Sequence, residues 1–96
     1  MAYLQETQQL AFSASEGVAT FGVGLSPLDK LGVHSITLRT TADVYIDFDQ
    51  GASSGKSFLL KSTDDPFTFD FGTGNVKTVH AIASSSSGTL YILGVR

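Results

Sequence analysis

The sequence of 96 residues predicts an all-β fold: a single antiparallel β-sandwich or jelly-roll-like domain of seven or eight strands, spanning residues 1–96, with an N-terminal arm or edge strand. Three observations lead there. Between Val33 and Val95 every apolar cluster is short and alternates with polar residues, the period-2 signature of strands with one face in a core and one in water. Each cluster is cut off by Gly, Ser, Asp, Asn or Pro, and these turn signals recur every ~8 to 12 residues, the spacing of a sandwich or jelly roll. Gly is high at 10 and Pro low at 2, as expected where tight turns need positive φ.

Residues 3–13 come first, with Glu6 as their one charged side chain and Leu4, Leu10 and Phe12 on a period-2 face interrupted by Glu6 and Gln8. They read as a long edge strand, or as an extended arm over residues 1–12. A helix over 4–10 is the competing reading on propensity, but the exit through Ser13, Ala14 and Ser15 and the strands that follow favour β. Residues 18–23 give a second strand, 25–32 a loop turning at Pro27 and Asp29, and 33–39 a third strand with Ile36 and Leu38 inward. The link Thr40, Thr41, Ala42 is short enough for an antiparallel hairpin into residues 43–49. There Val44, Ile46 and Phe48 face one way, and Asp43, Tyr45, Asp47 and Asp49 the other. A polar loop, 50–56, leads to a strand at 57–61. The Asp64, Asp65, Pro66 turn leads to Phe67, Phe69 and Phe71, whose strict alternation reads as a core stripe. Residues 76–83 and 89–95 read as a terminal hairpin around the 84–88 loop.

Composition removes several function classes. At 42% hydrophobic with seven Phe, the chain can fill one core, so disorder is not expected. A formal charge of -3, with six Lys and Arg scattered singly, offers no clustered cations for phosphate, so no nucleic-acid partner is expected. No cysteine means no disulfide, thiolate zinc site or thiol nucleophile. No run of 18 apolar residues and no basic-then-apolar leader occurs, so neither a membrane partner nor an export signal is expected.

The chemical motifs fail on context. Gly51 to Ser57 is similar to a phosphate loop, but has three residues between its glycines where four are needed, and an apolar strand pattern follows where the cradle requires a helix N-terminus. The same stretch fits G-x-S-x-G with Ser53 as nucleophile, yet that elbow needs a strand-to-helix turn in a large α/β sheet. His34 and His80 with Asp47 or Asp70 could bind a transition metal, but nothing in their spacing makes them meet. Asp43, Asp47 and Asp49 alternate on a strand, whereas calcium sites wrap the ion with a loop. Asp64 and Asp65 read as turn chemistry. No catalytic, cofactor or metal residue is therefore expected. Partner contacts are expected at Tyr3, Leu4, Leu10, Tyr45 and Tyr91, tyrosine because it keeps a polar tip when it packs at an interface.

From Ile36 onward the chain resembles small virion structural proteins of tailed bacteriophages. The residues are Ala42, Asp43, Val44, Tyr45, Ile46, a Gly/Ser loop, Phe58, Leu59, Leu60, a turn, Phe67 to Phe71, then Val79 to Ala83 and Gly88 to Leu93. This rhythm, over about two-thirds of the chain, is similar to the β-sandwich capsid decoration, cement or head-fibre proteins. The resemblance implies a non-enzymatic module that binds the phage capsid or other virion proteins and sibling copies as a homo-oligomer. It also implies a location in the virion after synthesis in the host cytoplasm. Tail or neck components are near relatives. Two other classes stay open: a carbohydrate-binding jelly roll using loop Asp, Asn75 and Tyr or Phe rings, and a cupin-type metal enzyme.

Overall fold

The structure, a computed structural model, describes residues 5–21, 32–49, 51–52, 57–64, 66–72 and 76–96. Eight strands form: β1 (Gln5–Phe12), β2 (Gly17–Thr20), β3 (Ser35–Thr40), β4 (Val44–Phe48), β5 (Phe58–Leu60), β6 (Phe67–Asp70), β7 (Thr78–Ala83) and β8 (Gly88–Val95). They make two four-stranded antiparallel sheets, ordered β1-β8-β3-β6 and β2-β7-β4-β5. No helix occurs among the described residues.

The pairing is nested: β1 with β8, β2 with β7, β3 with β6 and β4 with β5. A chain folded back once into four paired segments gives that nesting. Rolling it into two layers adds the β3–β8 and β4–β7 ladders. The result is the jelly-roll arrangement of two facing sheets. Alternation then sends one side chain in two inward. Phe12, Ile36, Leu38, Val44, Ile46, Leu60, Val79, Ala81, Leu90 and Ile92 form the core, with Phe21, Val33 and Val76 closing one end. Val33 and Val76 exchange N–H···O bonds of 2.8 and 3.0 Å there.

Two expected hairpins are not formed. The 40–42 and 84–88 links join strands in different sheets, and β4–β5 is the one pair of consecutive strands that are neighbours. Each link is long enough for the crossing: the four Cα–Cα steps from Thr40 to Val44 reach about 13 Å, against the ~10 Å between packed sheets. Better pairing elsewhere decides the outcome. Strand β8 gains β1 on one side and β3 on the other, and β7 gains β2 and β4. The two links brace each other at the crossing. Thr41 N–H donates to Thr89 O at 3.1 Å, Thr89 N–H to Thr41 Oγ1 at 2.9 Å, and Ser84 N–H to Asp43 O at 3.2 Å.

The core-stripe reading of β6 also needs correction at its start. Phe69 and Phe71 pack against the core, but Phe67 is 42% exposed. Its strand is the last of its sheet and faces β5, an edge strand of only three residues, so the sandwich tapers and leaves this side open.

Candidate functional site

At that open side the two sheet edges carry a continuous aromatic cluster. Phe58 on β5 lies 5.6 Å from Phe67 and 5.3 Å from Phe69 on β6, centroid to centroid. Phe67 and Phe69 are 4.8 Å apart, and Phe48 sits edge-on to both Phe69 and Phe71 at 5.0 Å. The quadrupoles of aromatic rings favour such tilted and edge-to-face pairs, each about 0.5–1.5 kcal/mol beyond burial. Phe58 is 46% exposed, so the inner rings are covered while Phe58 and Phe67 face water. Sequence reasoning missed Phe58 as a surface residue. The available signal was the brevity of its apolar run, which cannot cover a neighbouring strand along its whole length.

Tyr45 and Tyr91 stand on opposite outer faces. Tyr45 lies in a cross-strand row with Leu59 and Ile82, all half-buried. Tyr91 lies between Gln9 and Arg39, whose guanidinium carbon is 4.9 Å from the ring centroid. A shallow depression of about 310 Å³ beside it is lined by Thr7, Gln8, Gln9 and Tyr91. Because Arg39 covers Tyr91, a sugar stacking on that exposed face must displace a cation–π contact. Leu10 points inward against the core. Tyr3, Leu4, Ser53 and Asn75 lie outside the described residues. The three expected contact residues that are described, Leu10, Tyr45 and Tyr91, therefore do not converge on one patch.

The described aspartates are taken up by the backbone. Asp49, in the left-handed region at φ 58°, accepts the N–H groups of Lys77 (2.9 Å) and Thr78 (2.8 Å) through Oδ1. Asp43 accepts Ser62 N–H at 2.9 Å. Asp47 accepts Phe48 N–H at 3.0 Å and the Ser57 hydroxyl at 3.1 Å. Asp64 closes its turn on Lys61 N–H at 3.1 Å, as turn chemistry requires. Asp70 does the same on Gly72 N–H at 2.8 Å, where φ of 61° suits glycine.

Among the described residues one acid–imidazole–hydroxyl chain exists. His80 Nδ1 is 3.1 Å from Glu16 Oε1, and His80 Nε2 is 3.0 Å from Thr78 Oγ1. The hydrogen bond from His80, helped by the Ala52 N–H, holds the Glu16 carboxyl below the usual carboxylate range. The order matches a nucleophile–base–acid triad, but its surroundings do not. Thr78 Oγ1 also lies 3.2 Å from Asp49 Oδ1, and Asp49 takes the Lys77 and Thr78 N–H groups that could have stabilised an oxyanion. His80 Nδ1 faces the Glu16 carboxylate, and Thr78 Oγ1 sits between His80 Nε2 and Asp49 Oδ1. The chain thus ties the β1–β2 turn to β7 and to the loop after β4. His34 is held differently, its backbone bridging Val95 and Phe71. Among the described residues no group of three or more His, Asp or Glu is placed to hold a metal ion.

Ser57 and the residues after it run into β5 rather than a helix, so the phosphate-cradle reading lacks its required element, and the nucleophile-elbow reading falls on Ser53, outside the described residues. Comparison of the chain with protein-family models, curated proteins and solved structures returns no match.

Proposed function

We propose that this chain is a non-enzymatic structural protein of a bacteriophage virion, a capsid decoration module that holds on to the shell or to sibling copies by surface contact. The observation that carries the contact role is the open side of the sandwich, where Phe58 and Phe67 stand exposed on the edges of both sheets. Large apolar groups grouped at a surface favour burial against a partner, at roughly 25 cal/mol per Å² removed from water. The carboxylates fit a scaffold role, since Glu16, Asp43, Asp49, Asp64 and Asp70 each accept a backbone N–H. The virion setting rests on the resemblance of the run from Ile36 to Leu93, and fold by itself does not assign function.

Repetition on a symmetric shell would turn modest contacts into high avidity. Quantitative mass spectrometry of purified particles tests the setting: a copy number in the hundreds supports a shell protein, tens or fewer indicate a tail or neck component, and absence overturns the proposal. Replacing Phe58 and Phe67 together by Ser tests the surface. Particle binding is expected to fall at least ~10-fold, about 1.4 kcal/mol, with the fold retained. Unchanged binding would remove the aromatic edge from the interface.

A further inference from the structure

The outer edge of β1, with which no described strand pairs, is a second surface, and its chemistry names its own partner. Thr41 N–H donates to Thr89 O and His34 N–H to Val95 O, so these β8 residues turn their backbone groups toward β3. Alternation along an antiparallel strand then aims Gly88, Leu90, Ile92 and Gly94 at β1. Their register partners are Phe12, Leu10, Gln8 and Glu6. The N–H and C=O groups of Gln5, Thr7, Gln9 and Ala11 consequently point outward, and no described strand pairs with them. Among the described residues the usual protections of an edge are missing: β1 has eight residues, no Lys, no Pro and an unbroken register without a bulge. Its one charge, Glu6, sits on the inner side and already takes the Gln8 amide.

We propose that two copies of this chain join edge to edge through β1, antiparallel about a two-fold axis at Thr7, giving one continuous sheet with four strands from each copy. In that register Thr7 faces Thr7 of the second copy and Gln5 faces Gln9, all with outward-pointing backbone groups. Glu6 faces Gln8 of the second copy, so polar side chains meet twice across the axis while each Gln8 amide stays on Glu6 and on the Thr20 carbonyl of its own chain. An axis at Gln8 would instead set Glu6 beside Leu10 of the other copy. It would also recruit Ala11, whose carbonyl oxygen faces the turn into β2, 3.0 Å from where a Cβ on Gly17 would stand. An antiparallel strand pair is self-complementary and closes as a dimer, which is why the second copy rather than a foreign strand fits this edge. The inference deepens the sibling-copy contact of the proposed function, and because self-association and particle binding are separate measurements, either can fail without the other.

The chain has no cysteine, so single introduced cysteines report the register. Gln5, Thr7 and Gln9 are all exposed on one face of β1 and tolerate the change. With the axis at Thr7, two copies of Thr7→Cys lie about 5.5 Å apart between Cα atoms and can form a disulfide. Gln5→Cys or Gln9→Cys would be about 14 Å from its own counterpart, beyond the ~7 Å limit, but a mixture of the two should cross-link. Sedimentation of the unmodified full chain should give a dimer, and Thr7→Lys should weaken it at least ~10-fold by placing like charges on the axis without changing the folded circular dichroism spectrum. A monomer at every concentration up to about 200 µM, ~5 kcal/mol of association free energy, overturns the proposal. Equal self-cross-linking at positions 5 or 9 overturns it as well, by excluding the Thr7 axis.

Discussion

Gly94 lies at the buried end of β8, and a methyl group there offers a sharp test of how the core closes. A Cβ built on Gly94 would sit 2.5 Å from Phe21 Cε1, 2.9 Å from Phe21 Cζ and 2.9 Å from Val33 Cγ1. Carbon atoms prefer about 3.5–4.0 Å, so the Phe21 ring must retreat by roughly 1 Å. It has little room to do so, being only 4% exposed, with Val33 fully buried beside it. Overpacking of this kind costs about 1–3 kcal/mol, while removing glycine from the unfolded chain returns about 0.4–1 kcal/mol. Gly94→Ala should therefore lose about 1–2 kcal/mol, a fall in Tm of roughly 5–15 °C for a domain of this size. Urea unfolding followed by circular dichroism measures it, together with Phe21→Leu and the double variant. If the ring causes the penalty, the double variant should be at least ~1 kcal/mol more stable than the sum of the singles predicts. Strict additivity, or a Gly94→Ala protein as stable as the parent, would refute the close approach of Phe21 to β8.

Asp49 combines a left-handed backbone with acceptance of two N–H groups, so Asp49→Ala should cost about 1–2 kcal/mol in urea unfolding and Asp49→Asn under ~0.5 kcal/mol. Equal losses for both would mean that the side-chain oxygen does not hold the start of β7. The Glu16 carboxyl titrates below its ordinary value of 4.5, so its stabilising contribution is complete above that pH and disappears as pH falls through the lowered value. The stability difference between the parent and Glu16→Gln should accordingly shrink on acidification below pH 4.5, and a difference that stays constant would dismiss the Glu16–His80 contact. His80→Gln should raise the Glu16 pKa toward the ordinary value, as read by NMR titration of the side-chain carboxyl carbon.

The parts of the fold that were legible in the sequence are those set by residues two apart. Val44, Ile46, Ile36, Leu38 and Phe12 all point inward as their alternation requires. Which strands pair was not legible, because it depends on competition among distant segments. Residues 40–42 and 84–88 have hairpin-like lengths, yet β8 pairs with β1 over eight residues and with β3 over six, where a hairpin with β7 would give at most six. The aromatic edge failed for a related reason: alternation tells which way Phe67 points, whereas its exposure depends on how far β5 extends opposite it. His80 and Glu16 are 64 residues apart, and only the nesting of β2 against β7 brings them together.

That nesting has a kinetic corollary. The β4–β5 pair closes the shortest loop, and each further pair in the series, β3–β6, β2–β7 and β1–β8, encloses the one before it. Loop-closure entropy rises only as about (3/2)RT ln n, so once the innermost pair exists each outer pair closes a short residual loop rather than the full sequence separation. Folding should run outward from the Ile46 and Leu60 neighbourhood toward the chain ends, on the millisecond-to-second scale of non-local β topologies, with φ-values high at Val44 and Leu60 and low at Leu10 and Leu90. The same order makes β1 the last strand to dock and the first to fray, so its partner-seeking edge is complete only when the rest of the roll is.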